Sequence, residues 1–211
     1  MKRVRDEEEQ SAPFVGRGGL KLAHALAEFR VDPRGLLCAD FGCNVGGFTD
    51  CLLRAGAARV HALDTGYGAL DWRLRNDPRV VVHERTNALH AEPPTGGVDL
   101  IVVDLGWTPQ RRAVPAALRW LTPGASGRII TLIKPHYEAS ARGQSRRLDR
   151  GVLAETDAAA ILEDALDHMP GLGANVLGVT RSPIIGGKGK GRAGNAEWLA
   201  LLEPLAGAPS T

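Results

Sequence analysis

The sequence predicts an α/β fold in which a mostly parallel sheet carries helices on both faces. Short apolar runs alternate along the chain with segments of helical periodicity, the pattern of strand–helix–strand units. Charged residues recur where apolar runs end, and a glycine-rich run joins the first expected strand to the next helix. Leu20, Ala23, Leu26 and Ala27 fall at helical spacing, so residues 19–29 are expected as an amphipathic helix. Residues 36–41 read as a strand, 48–55 as a helix and 59–63 as a strand. Two more strands are expected at 79–83 and 98–103, a helix at 113–121, and a strongly apolar strand at 128–133. A long helix over 152–168, a strand at 174–180 and a last short strand at 197–202 complete the set. Pro and Gly cluster at 93–97 and 183–195, which read as loops inside one domain spanning 13–205. The polar residues 1–12 read as a disordered tail.

Polar residues stand where such a sheet binds its ligands. Asp40, Asp64, Asp104 and Lys134 each close an apolar strand at its C-terminal end. In open α/β sheets the crevice outside those ends is the usual ligand site. The run Asp40-Phe41-Gly42-Cys43-Asn44-Val45-Gly46-Gly47-Phe48 places glycines where a backbone can approach a bound molecule. Three residues separate Gly42 from Gly46, so the run is not the GxGxxG cradle of a pyrophosphate. Asp64, ending the next strand, suits hydrogen bonds to ribose hydroxyls. Together these features suit S-adenosylmethionine, which has a ribose and an amino-acid tail but no phosphate. Taken alone, the glycine run is explained equally well as a packing turn.

Lysine usage is more pointed. Of 26 basic residues only Lys2, Lys21, Lys134, Lys188 and Lys190 are lysines. Lys2 falls in the tail, and Lys188 and Lys190 fall in a glycine-rich loop. Lys134 ends the run Ile129-Ile130-Thr131-Leu132-Ile133 and precedes Pro135. An arginine cannot give up its proton in a protein, whereas a lysine can. Lys134 is therefore a candidate general base, with a snorkelling strand-end lysine as the bland alternative.

Several longer runs carry a resemblance. Val15-Gly16-Arg17-Gly18-Gly19-Leu20-Lys21-Leu22, Gly46-Gly47-Phe48-Thr49-Asp50-Cys51-Leu52-Leu53 and Asp64-Thr65-Gly66-Tyr67-Gly68-Ala69-Leu70-Asp71-Trp72 are three of them. Glu84-Arg85-Thr86-Asn87, Leu132-Ile133-Lys134-Pro135 and Gly194-Asn195-Ala196-Glu197 follow in order. Together they resemble the TlyA branch of the FtsJ-like methyltransferases from Val15 to about residue 203. The resemblance implies a class I, Rossmann-like methyltransferase with a mostly parallel seven-stranded sheet. It also implies S-adenosylmethionine as cofactor and the ribose 2′-hydroxyl of RNA, expected to be ribosomal, as substrate. The implied catalytic tetrad maps to Lys21, Asp104, Lys134 and Glu197. The implied cofactor contacts map to Asp40, Gly42, Cys43, Asn44, Gly46, Gly47 and Phe48, then to Asp64, Thr65, Asn87 and Asp104. Cys43-Asn44-Val45 stand where the family has a small residue and Ser-Thr, and Leu105-Gly106-Trp107 where it has Val-Ser-Phe. The family's small N-terminal RNA-binding module is not expected here, so RNA contact falls to the domain itself. Arg142, Arg146, Arg147 and Arg150, and the loop carrying Arg181, Lys188, Lys190 and Arg192, are the expected phosphate contacts. Trp107, Tyr137 and Trp198 could stack a splayed base, although packing is the commoner role of aromatics.

Other classes are disfavoured. The formal net charge is +2, so any nucleic-acid surface must be local. The three cysteines form no CxxC pair and the six histidines lack ligand spacing, so no metal site is expected. No run of about eighteen apolar residues is present, which argues against a membrane partner and a hemolysin. The reading is of a cytoplasmic enzyme. Alternatives are a cofactor- or RNA-binding paralogue without turnover and, less well supported, a nicotinamide oxidoreductase. A protein partner that delivers substrate stays open.

Overall fold

The computed structural model describes residues 13–124, 126–186 and 194–205. The tail expected over 1–12, and Lys188, Lys190 and Arg192, lie outside these. Helix α1 (Gly18–Phe29) leads into β1 (Leu37–Phe41), α2 (Gly47–Arg54), β2 (Arg59–Leu63), α3 (Trp72–Arg75) and β3 (Val80–His83). Then come β4 (Leu100–Val103), α4 (Gln110–Leu118), β5 (Arg128–Ile133) and α5 (Pro135–Ala141). The strands β6 (Leu148–Asp149) and β7 (Val152–Leu153) precede α6 (Glu155–Asp167), β8 (Ala174–Arg181) and β9 (Trp198–Pro204).

Seven strands form one sheet in the order β3-β2-β1-β4-β5-β9-β8. The neighbours among β1 to β5 pair in parallel, and β9 runs antiparallel to both β5 and β8. The chain works outward from β1 to β3 and then crosses back to β4. This reversal opens a crevice at the C-terminal ends of β1 and β4, where open α/β sheets bind ligands.

Both faces of the sheet are covered. Leu22 and Leu26 of α1 and Phe48 and Leu52 of α2 pack with Val60, Val102 and Leu132 on one side. Val114 and Ala117 of α4 and Leu162 and Ala165 of α6 pack with Phe41, Ile101 and Ile129 on the other. Trp120 anchors that second layer: it is fully buried, meets Phe41 edge-on at 5.2 Å and donates its ring N–H to the Ala91 carbonyl. Truncating such a side chain to alanine costs roughly 3–5 kcal/mol.

Several boundaries differ from expectation, each for a local reason. The helix expected from residue 113 begins at Gln110, because the Glu138 carboxylate accepts from the Gln110 backbone N–H at 2.7 Å and satisfies an otherwise orphaned donor. The long helix expected from residue 152 begins at Glu155. Val152 and Leu153 pair instead with Leu148 and Asp149, and the Asn195 side chain accepts from Leu153 N–H at 2.8 Å. Acidic Glu155 and Asp157 occupy the first turn of α6, where negative charge favours a helix start. Helices α3 and α5 are too short to leave a periodic signal. Val98 forms only an isolated bridge with Leu121.

Candidate active site

The loop between β1 and α2 forms one wall of a cleft of about 950 Å³. Gly42 has φ +88, and a Cβ there would stand 2.6 Å from the Asp104 carbonyl oxygen. Only glycine lets this loop lie against the end of β4. Asp64, just past β2, is oriented by two backbone donors: Asn44 N–H reaches Oδ2 at 2.9 Å and Gly66 N–H reaches Oδ1 at 2.7 Å. Gly42, Cys43, Asn44, Gly47 and Phe48, with Asp64, Thr65, Asn87 and Asp104, all line the cleft. Gly46 is buried within the same turn.

Asp40 is placed differently. Its carboxyl is fully buried beneath the loop and is not among the cleft-lining residues. Thr49 donates to its Oδ2 at 2.6 Å, and Oδ1 has no partner among the described residues. Burial pushes this carboxyl up to about 7, Asp104 and Asp64 add to the shift, and the Thr49 hydrogen bond opposes it. The thiol of buried Cys43 is likewise raised by burial, so it is a packing group rather than a nucleophile.

Two ion pairs converge on the opposite wall. A Cβ on Gly47 would lie 2.9 Å from Gly19 N and 3.0 Å from Gly16 O. That close approach seats the start of α1 against α2 and brings Lys21 to the cleft. Lys21 Nζ donates to Glu197 Oε2 at 2.5 Å across 176 residues of sequence, with the side chains 11% and 4% exposed. Glu197 is sealed from above, since a Cβ on Gly186 would fall 2.0 Å from its Oε1. Lys134 pairs with Asp104 through a short contact to Oδ1. Pro135 fixes Lys134 at the junction: it opens α5 as its first residue, and Lys134 stays extended at φ −116, ψ 92. Beneath lies a buried network in which Thr131 donates to Gln110 Oε1 at 2.8 Å and the Gln110 amide donates to the Leu132 carbonyl. Lys21, Asp104, Lys134 and Glu197, 176 residues apart at the extremes, thus share one cleft.

An aromatic lip closes one side. Trp107 and Tyr137 line the cleft with ring centroids 4.7 Å apart and planes tilted by 33°. Trp107 is 81% exposed and holds a left-handed backbone at φ 57. Trp198 instead packs on the core beside Arg181. Among the expected phosphate contacts, Arg142 pairs with Asp164, Arg147 with Asp157 and Arg181 with Glu155. Arg146 and Arg150 are exposed and make no ion pair among the described residues. None of Arg142, Arg146, Arg147 and Arg150 lines the cleft, whereas Arg17 and Arg112 do. Sequence reasoning singled out neither Arg17 nor His136, which lies in the wall beside the lysines.

A sheet of this order, with a glycine loop after β1 and an acidic residue after β2, defines a class I, Rossmann-like methyltransferase. The model of the FtsJ-like methyltransferase family matches residues 14–192. The TlyA protein of Mycobacterium tuberculosis, named a 16S/23S rRNA (cytidine-2′-O)-methyltransferase, is 39% identical over 90% of this chain and 68% of its own length. YqxC of Bacillus subtilis, provisionally named an rRNA methyltransferase, is 36% identical over 90% of this chain and 65% of its own. A solved structure from Streptococcus thermophilus, given a provisional hemolysin title, superimposes with a TM-score of 0.83 at 34% identity, covering 92% of this chain and 68% of that one. The chain therefore spans about two thirds of the length of these relatives. It belongs to the FtsJ-like methyltransferase family.

Proposed function

We propose that this chain transfers a methyl group from S-adenosylmethionine to a ribose 2′-hydroxyl of RNA, with ribosomal RNA as the substrate. The observation that carries the reading is the meeting of the Lys21–Glu197 and Lys134–Asp104 pairs in the cleft that the Gly42 loop borders.

The residues present fit the cofactor. Gly42, where a Cβ would strike the Asp104 carbonyl, keeps the loop against the end of β4 and on the wall of the cleft. Each Asp64 oxygen accepts one backbone N–H and keeps a second lone pair for a ribose hydroxyl. The Gly42–Gly47 loop would hold the amino-acid tail and Asn87 would bound the nucleoside. When bound, S-adenosylmethionine supplies a methyl group already activated on a sulfonium, so the protein's task is alignment and proton removal. In this reading Lys134 Nζ takes the proton from the 2′-oxygen, Asp104 holds Lys134 in place, and Glu197 holds Lys21. Trp107 and Tyr137 would wall the target nucleotide, and Arg17 and Arg112 at the rim would meet its phosphates. Such a substrate places the protein in the cytoplasm. Among the described residues no group of three or more His, Cys, Asp or Glu could hold a metal ion, and no helix is long and apolar enough to cross a membrane. The domain is assigned to residues 13–205.

The test is direct. Purified protein, methyl-labelled S-adenosylmethionine and unmodified ribosomal RNA are incubated, and the RNA is digested to nucleosides. Label in a 2′-O-methylnucleoside is expected. Label only in a base-methylated nucleoside, or none while cofactor binds, would overturn the assignment in favour of base chemistry or of binding without turnover.

A further inference from the structure

His136 is a polar side chain in the cleft that the reading above does not use. Its ring lines the same cavity as Lys21, Asp104, Lys134 and Glu197 and lies with its centroid 4.2 Å from that of Tyr137. Among the described residues it makes no hydrogen bond, and its Nδ1 is buried without a partner. A histidine kept for structure normally satisfies its buried nitrogen, and unpaired buried polar groups concentrate at functional sites.

The surroundings fix its charge. Burial, with the Lys134 and Lys21 cations adding to it, lowers the imidazole to about 4. Asp104 and Glu197, the acidic groups of the same wall, are already engaged by those lysines. The ring is neutral near pH 7 and carries one proton. A sealed, unpartnered N–H is rarer than a sealed, unpartnered acceptor, so the proton is assigned by this argument to Nε2. With Nδ1 sealed, Nε2 is the nitrogen left to meet a ligand.

We propose that His136 is a further catalytic residue, whose Nε2–H donates a hydrogen bond to the ribose oxygen as that oxygen attacks the methyl group. The proposal rests on the 2′-O-methyl transfer reading. In the step, Lys134 Nζ first gives up its own proton to solvent; the O2′–H bond then breaks and its proton passes to the freed Nζ lone pair. The O2′–CH₃ bond forms, and the C–S bond breaks with its electron pair going to sulfur. Negative charge grows on O2′ as the proton leaves, and a fixed neutral donor stabilises it without placing a third cation beside the two lysines.

Two variants and a spectrum test this. In His136→Leu, kcat should fall about 100-fold or more, as for loss of an oxyanion donor. RNA KM, S-adenosylmethionine affinity and Tm should stay at wild-type values. His136→Gln, which keeps an N–H donor, should recover most of the loss. Nitrogen-15 spectra of the cofactor-free protein should show a neutral, Nε2-protonated ring at pH 7. Unchanged kcat in His136→Leu, equal loss in both variants, or an imidazolium or Nδ1-protonated ring at pH 7 would each overturn the proposal. A wild-type protein that methylates no ribose would instead remove the reading beneath it, a result plainly distinct from these.

Discussion

Glu197→Gln removes one charge from the Lys21–Glu197 pair and barely alters shape, which matters because Gly186 lies directly over the carboxylate. The side chains are 11% and 4% exposed, so neither partner has water to fall back on. Breaking such a buried pair from one side costs roughly 3–5 kcal/mol, because the remaining charge is left uncompensated. At roughly 2–4 °C per kcal/mol for a domain of this size, the melting temperature should drop by roughly 6–20 °C. Asp104→Asn should cost less, since Asp104 is 24% exposed and water can reach the Lys134 pair. Replacing both members, Lys21→Met with Glu197→Leu, should recover most of the stability, as buried pairs exchanged for apolar groups generally do, while leaving methyl transfer abolished. Thermal melts of the three variants, beside the labelled-methyl assay, separate folding from catalysis. A Glu197→Gln shift under about 2 °C would mean the pair costs under about 1 kcal/mol to break, and so is screened by solvent; the argument from burial would then be wrong.

Other expectations follow from the same geometry. Lys134→Arg should fold and bind cofactor yet lose methyl transfer by about 100-fold or more, since Arg keeps the charge but cannot take a proton; near-normal turnover would exclude Lys134 as the base. Asp64→Ala should weaken S-adenosylmethionine binding by about 10- to 100-fold in calorimetry, the range for lost hydrogen bonds to a charged group, and heat with NAD alone would overturn the assignment. Asp40 has its carboxyl raised from the usual value to about 7, so its contribution to stability is present below about pH 4 and is lost as pH rises through about 7. Asp40→Asn should therefore raise the melting temperature at pH 8 and change it little at pH 4; a larger gain at pH 4 would reverse the sign. Arg146→Ala with Arg150→Ala should weaken RNA binding and flatten its salt slope by roughly 1.4–1.8, with cofactor binding unaffected. An unchanged slope would place both outside the RNA path.

What the sequence disclosed and what it withheld divide along physical lines. The seven sheet strands were legible because each is a short apolar run bounded by turn residues, and pairing shifts their ends by no more than two residues, as at Val98 and Pro204. Val152 and Leu153 misled because two apolar residues before a helix fit its periodicity, and only a hairpin partner at Leu148 and Asp149 reveals otherwise. Lys134 stood out because this chain otherwise prefers arginine and because Pro135 marks the strand end. The arginines between 142 and 150 looked like a phosphate rim, but their cluster in sequence does not say which face α6 supplies with carboxylates. Asp164 and Asp157 take Arg142 and Arg147, and that is settled only by tertiary packing.

The site itself shows why a motif and its geometry carry different information. Gly16, Gly18 and Gly19 fall in one run of the sequence and Gly46 and Gly47 in another. Their shared consequence is the contact of Gly47 with the backbone of Gly16 and Gly19, which no single run predicts. That contact brings α1 close enough for Lys21 to reach Glu197 from the far end of the chain. It follows that Gly47→Ala, a change of one methyl group, should act on the site by pushing α1 away. Cofactor affinity and the Lys21–Glu197 pair should fail together, visible as a lower melting temperature with weaker S-adenosylmethionine binding. Loss of methyl transfer with both of those unchanged would show that the helix contact does not position the site.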